Sequence, residues 1–303
     1  MARESGRVVA SFGRTVQVED ARGERIDCSV FGRRLEIVCA DRVEFERTDS
    51  AAGGIVHARL PRDSVISRVN SRGEAETLAA NATQLVIVLA DPPLPDFYLV
   101  DRYLAAAEAA RLPALIVLNK VESESTRIGQ CRTELAGWQR LGYATAEVSA
   151  LTGAGIEDLT TALRGHTSLL VGQSGVGKST LLNALVPGAA AHTRDIVAKT
   201  GKGSHTTTRT TLFGIPGGGE LLDSPGVRDF APGPDLLHDA AEGFRDIAAL
   251  AHACRFKNCR HVGEPDCAVR AAAESGAIAE RRYRSYCQLL DLMERLGRKR
   301  RGY

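Results

Sequence analysis

Aromatic residues are scarce in this chain, 5% of 303 residues with a single tryptophan, and no apolar run approaches the ~18 residues of a membrane span. The opening Met1-Ala2-Arg3-Glu4-Ser5 lacks the pattern of a secretory leader, so the expectation is a cytoplasmic protein with no membrane role. Charge of one sign is not in excess either: the net charge of +2 excludes any argument about partners from overall charge. The seven cysteines, an odd number spread unevenly, argue against a disulfide framework and for thiols or metal ligands. Local charge is denser at Arg298-Lys299-Arg300-Arg301, a run that is either a solvated tail or a phosphate contact.

What the chain does have is Gly172-Gln173-Ser174-Gly175-Val176-Gly177-Lys178-Ser179. This is the pattern G-x-x-x-x-G-K-[ST], in which backbone N–H groups of a glycine-rich turn wrap phosphates, the lysine reaches the β and γ oxygens, and the serine offers its hydroxyl to Mg²⁺. Ser168 to Val171 is an apolar run fit for a buried strand, and Thr180 to Leu185 starts a helix whose N-terminus faces the phosphates.

The chain divides into three parts. Residues 1–73 carry short alternating runs such as Arg7 to Ala10, Thr15 to Val18, Asp41 to Phe45 and Gly54 to Ala58, which predict a small β-barrel of OB type, with Arg68 to Gly73 as a linker. Such barrels bind RNA through basic and aromatic faces; with only Phe12, Phe31 and Phe45 available, a structural docking role is an equal reading. Residues 74–230 alternate apolar runs (Gln84 to Ala90, Leu115 to Leu118, Leu221-Leu222) with helical stretches such as Asp101 to Arg111, predicting a parallel sheet covered by helices. Residues 231–303 read as a small helical unit, with helices over Asp239 to Ala251 and Ile278 to Leu296.

In such sheets ligands bind at the carboxyl ends of strands, and each strand end here is distinctive. After Leu118 come Asn119, Lys120 and Glu122: an amide for the Hoogsteen edge of a purine, a stem along the base plane, and a carboxylate to accept from N1–H and the exocyclic amine of guanine. Adenine lacks that donor pair, so the carboxylate selects GTP. Thr145 to Val148 leads to Ser149-Ala150. Asp223-Ser224-Pro225-Gly226 suits a γ-phosphate loop, with Asp223 reaching Mg²⁺ through water and the Gly226 N–H bonding a γ oxygen. Gly203-Ser204-His205-Thr206-Thr207-Thr208 suits a loop that orders when Thr207 or Thr208 coordinates Mg²⁺; an ordinary strand start is the other reading.

Near the C-terminus, Cys254-x₄-Cys259-x-His261-x₅-Cys267 gathers three thiolates and an imidazole, a set that closes a tetrahedral structural Zn²⁺ site with no open position. His252 is a rival ligand; Cys28, Cys39, Cys131 and Cys287 are scattered.

In ordinary GTPases the phosphate loops come first and the base-reading loop last, whereas here the order runs Asn119, Ser149, P-loop, threonine stretch, Asp223. Together with the barrel and the cysteine cluster, this circular permutation resembles the small ribosomal subunit biogenesis GTPases of the RsgA (YjeQ) family over nearly the whole chain. The resemblance implies a monomeric GTPase that binds rRNA of the small ribosomal subunit during its late maturation and is released on hydrolysis. Two positions depart from the family pattern: Glu122 stands where Asp is usual, and Ser224 where Thr is common. As in the family, no glutamine follows the Asp223 loop, Val227 standing in its place, so the catalytic polar group comes from elsewhere, with His205 the candidate. A P-loop ATPase or small-molecule kinase with RNA-binding accessory domains is the competing class, and it lacks an identifiable substrate pocket and lid.

Overall fold

The computed structural model describes residues 3–32, 35–48, 53–69, 75–189, 210–223 and 240–300. Its organising element is a central parallel sheet built from β8 (Gln84–Leu89), β9 (Ala114–Leu118), β10 (Ala144–Glu147), β11 (Thr167–Gly172) and β13 (Glu220–Asp223), in spatial order β10-β9-β8-β11-β13. Both faces are covered at the centre of the sheet, so β8 and β9 are near-continuous buried apolar runs, whereas β10 at the edge, Ala-Thr-Ala-Glu, is partly exposed. Leu85, Ile87 and Leu89 of β8 point into one core with Leu99, Tyr103 and Leu104 of α1 (Phe97–Ala109) and Leu135 and Trp138 of α2 (Ile128–Arg140). Val86 and Val88 point into the other, against Leu159 and Leu163 of α3 (Ile156–Leu163) and Leu181, Leu182 and Leu185 of α4 (Lys178–Leu185).

The barrel is continuous with this sheet. β12 (Thr210–Gly214) pairs antiparallel with β13 on one side and with β1 (Glu4–Phe12) on the other, Ala10 opposite Thr211. From β1 the order continues through β2 (Thr15–Asp20), β3 (Arg25–Val30), β5 (Gly54–Arg59) and β4 (Arg42–Arg47), and β4 closes back onto β1. That closure gives the five-stranded OB-type barrel expected from the sequence, around Val8, Val16, Val18, Phe45 and Val56. Arg7 of β1 clamps Glu220 at 2.7 and 2.8 Å, a side-chain tie parallel to the β1–β12 ladder.

Two expectations need correction. Arg68, read as the start of a linker, lies in β6 (Val65–Val69), which forms a hairpin with β7 (Ala75–Ala80), Arg68 opposite Glu76. The hairpin exists because Ile66 and Leu78 find cover in the first core, a gain invisible in so short and alanine-rich a pattern. The helix read over Asp239 to Ala251 is broken: a 3₁₀ turn, Ala240–Gly243, precedes α5 (Arg245–Ala251), and Phe244 between them is extended and fully buried. The turn packs so closely on α1 that a Cβ at Gly243 would lie 2.6 Å from the Ala105 Cβ, and this approach sets the break. α6 (Ala268–Glu274) and the long α7 (Glu280–Arg300) complete the unit.

Asp101 of α1, with no exposed surface, joins this C-terminal unit to the sheet domain. Its carboxylate accepts from Trp138 Nε1 at 2.9 Å, Arg282 Nη1 at 2.6 Å and Arg281 Nη1 at 2.5 Å. Arg281 also reaches Glu134 at 2.7 Å, Arg282 reaches Asp246 at 2.9 Å, and Arg245 reaches Glu108 at 2.7 Å. Burial works against the Arg282 charge; Asp101 and Asp246 outweigh it, and its pKa is raised. Asp101→Ala leaves Arg282 with Asp246 alone and takes a partner from Arg281 and Trp138 in a dry site, and is expected to cost about 3–5 kcal/mol of stability, read by urea unfolding.

Candidate active site and metal centre

Because β10, β9, β8, β11 and β13 run parallel, their carboxyl ends meet along one edge, which brings Ser149-Ala150, Asn119-Lys120, Asp91-Pro92-Pro93, the 172–179 loop and Asp223 side by side. Sequence separation plays no part in this arrangement.

The 172–179 loop leaves β11 and enters α4 through left-handed glycines. Gly172, at φ +144, passes so near β8 that a Cβ would sit 2.2 Å from the Val88 carbonyl oxygen. Gly177, at φ +91, caps α4, and a Cβ there would lie 2.5 Å from Asn119 Nδ2. Val176 is buried in the second core and anchors the loop from below, while Ser174, Gly175, Ser179 and Thr180 stay exposed and Gln173 half-buried. Lys178 Nζ donates to the carbonyls of Gly172 and Gln173, both at 2.7 Å, which holds its charge over the bowl of the loop. Asp223, half-buried beside the loop in register with Leu170, has its pKa raised by burial, against the opposing pull of Lys178.

Asn119 is the joint of the site. Only 1% exposed, it donates from Nδ2 to the Val176 carbonyl at 2.9 Å and accepts at Oδ1 from the Ala150 N–H at 3.1 Å. One amide thus binds the glycine-rich loop to the Ser149-Ala150 turn, and Ser149 Oγ in turn accepts from the Thr152 N–H at 3.0 Å. Lys120, in the left-handed region at φ +63, sends Nζ across the loop to the carbonyls of Gly175 at 2.8 Å and Pro92 at 2.9 Å. Glu122 follows with its side chain exposed. His205, Thr207, Thr208 and Gly226 lie outside the described residues. Asp91, Pro92 and Pro93 escaped sequence reading, although their place directly after an apolar strand is the same signal that marked Asn119.

In the C-terminal unit the donor atoms of Cys254, Cys259, His261 and Cys267 all lie within 4.8 Å of one another. Cys254 Sγ is 3.8 Å from Cys267 Sγ, and these sulfurs are 3.4 and 3.5 Å from His261 Nδ1. Sulfurs on a tetrahedral zinc with bonds of about 2.3 Å stand about 3.8 Å apart, so the spacing fits that ion. Burial, with the neighbouring thiols, raises the Cys259 pKa; a cation bound among these groups reverses that preference. His252, the rival ligand, is exposed and outside the cluster. Tyr283 and Tyr286 of α7 donate to the carbonyls of His261 at 2.6 Å and Arg260 at 2.8 Å, and Glu264, held at about 2 by backbone N–H groups beginning with that of Arg260, ties the same turn.

Asn119→Ala leaves a buried carbonyl and an N–H without partners; a loss of about 2 kcal/mol in unfolding free energy is expected by denaturant titration.

A family model described as RsgA GTPase matches residues 59–232. Curated proteins named small ribosomal subunit biogenesis GTPase RsgA are similar throughout: that of Azotobacter vinelandii is 44% identical, aligned over 95% of this chain and 85% of its own length. One from Pseudomonas aeruginosa is 42% identical over 96% and 86%. Among solved structures, YjeQ from Thermotoga maritima superposes with a TM-score of 0.73 at 32% identity, covering 96% of this chain and 99% of its own. YloQ, described as a circularly permuted GTPase, shares the fold at TM-score 0.69 and 23% identity, over 97% and 96%. By the family model over residues 59–232 and these relatives, the chain belongs to the RsgA GTPase family.

Proposed function

We propose that this GTPase is an assembly factor for late maturation of the small ribosomal subunit, cytoplasmic and monomeric, that holds rRNA through its barrel and zinc unit and leaves on hydrolysis. The observation that carries the reading is the Asn119 joint, which ties a base-reading turn to a phosphate loop in a chain whose relatives are named for biogenesis of that subunit. In this reading 1–73 is the barrel, 74–230 the GTPase and 231–303 the zinc unit.

Asn119, Lys120 and Glu122 take the guanine, with the backbone at Ser149 and Ala150 closing over it. The N–H groups from Gly172 through Gln173, Ser174, Gly175, Val176 and Gly177 wrap the phosphates, at the N-terminus of the helix that Lys178, Ser179 and Thr180 begin. Lys178 leaves its two carbonyls for the β and γ oxygens, a short move for a flexible stem. Ser179, Thr207 or Thr208, and Asp223 are the groups that would hold Mg²⁺, and an ion bound there would neutralise charge on the γ-phosphate. The Gly226 N–H steadies a γ oxygen, and His205 orients the attacking water. Cys254, Cys259, His261 and Cys267 hold Zn²⁺ as a structural ion. An ATPase or kinase reading gains nothing from the comparisons.

The test is turnover of GTP and ATP, side by side, with and without small subunits. GTP is expected to be hydrolysed faster with subunits present and ATP to lag far behind; equal turnover of the two nucleotides overturns the assignment. Lys178→Ala is expected to lower kcat by at least about 100-fold.

Removal of zinc by a chelator is expected to unfold the 254–267 turn and weaken binding to small subunits more than binding to GDP. Circular dichroism together with parallel titrations of the two ligands reads the difference.

A further inference from the structure

The turn that carries Glu122 is clipped at both ends to one dipeptide, Asp91-Pro92, at the carboxyl end of β8. At its front, Lys120 Nζ donates to the Pro92 carbonyl at 2.9 Å. At its back, the Ser125 hydroxyl donates to Asp91 Oδ2. Between these pins the chain is closed on itself: the Ser123 N–H reaches the Lys120 carbonyl at 2.9 Å, and the Ser125 N–H reaches Ser123 Oγ at 3.3 Å. Ser125 Oγ also accepts from the Arg127 N–H at 3.4 Å, just ahead of α2.

Asp91 is 3% exposed. A buried carboxylate is tolerated only where hydrogen bonds meet it, so its demand for the Ser125 hydroxyl is strong. Its charge is felt nearby: burial, and after it Asp91, push the Cys131 thiol up to about 11. Glu122 sits midway between the pins and is one methylene longer than aspartate, with one more rotatable bond. Where its carboxylate lands is set by how firmly the turn is held and in what place.

We propose that Asp91 is a positioning residue for base selection: through Ser125 it holds the 120–125 turn so that the Glu122 carboxylate meets guanine at N1–H and at the exocyclic amine. The proposal rests on Glu122 being the guanine acceptor. No bond is made or broken, and Asp91 itself touches no nucleotide.

The experiment compares affinity for GDP with affinity for inosine diphosphate, which lacks the exocyclic amine. Each variant is judged by the ratio of two affinities on one preparation, so a reduced folded fraction cancels. The unmutated protein is expected to prefer GDP by at least about tenfold. Asp91→Ala and Ser125→Ala are each expected to cut that preference about fivefold, whereas Asp91→Asn, still able to accept from Ser125, stays within about twofold. In the Glu122→Ala background, Asp91→Ala is expected to change the ratio no further. The proposal is overturned if Asp91→Ala keeps the full preference, or if it lowers the ratio equally with and without Glu122. If Glu122→Ala alone keeps the full preference, the reading of Glu122 falls, and that result stands apart from any outcome at Asp91.

Discussion

Lateral pairing of five parallel strands is the constraint on which everything else in this molecule rests. Once β8, β9, β10, β11 and β13 are hydrogen-bonded in their order, the loops at their carboxyl ends are neighbours whatever route the chain takes between them. A site made this way is indifferent to permutation. It is sensitive instead to the few side chains that span adjacent strand ends, and Asn119 is the foremost, since a single amide satisfies backbone groups on two different loops.

A second set of long-range ties attaches the C-terminal unit. Arg281 and Arg282, consecutive at the start of α7, converge on Asp101, and the same helix supplies the tyrosines that brace the cysteine cluster. Paired charges in a dry interface discriminate sharply between one docking geometry and its neighbours, because a small displacement leaves a buried ion without its partner. The cysteine cluster and the glycine-rich loop are therefore held by one continuous scaffold in the described residues.

The parts of this structure legible in the sequence are those in which local pattern and chemistry coincide. Gly172 to Ser179 announces its turn through glycines that must adopt positive φ, and β8 and β9 announce themselves as unbroken apolar runs between polar ends. The cysteines and His261 stand within one short stretch, so their meeting needed no knowledge of the fold. Asp101 and Arg282 are 181 positions apart, and nothing in either neighbourhood names the other. The break at Phe244 was hidden for a related reason: the alanine-rich residues around it favour helix, and the close packing of Gly243 on Ala105 of α1 shows only in the fold. Asp91 and Ser125 failed to register because an aspartate before prolines and a serine in a polar turn are both ordinary loop residues until the sheet sets them face to face.

The sharing of one sheet between barrel and GTPase has a mechanical meaning. A domain tethered by a loop can swing under load and leave its neighbour undisturbed. Here β1 is at once a stave of the barrel and the strand beside β12, so among the described residues the barrel meets the sheet through strand pairing rather than through a loop. Force applied to its far wall arrives at β12 as shear along hydrogen bonds, with the Arg7–Glu220 clamp carrying part of it directly onto β13. β13 ends at Asp223, and a large body pressing on the barrel thus pushes, through stiff backbone, on the strand that presents that carboxylate.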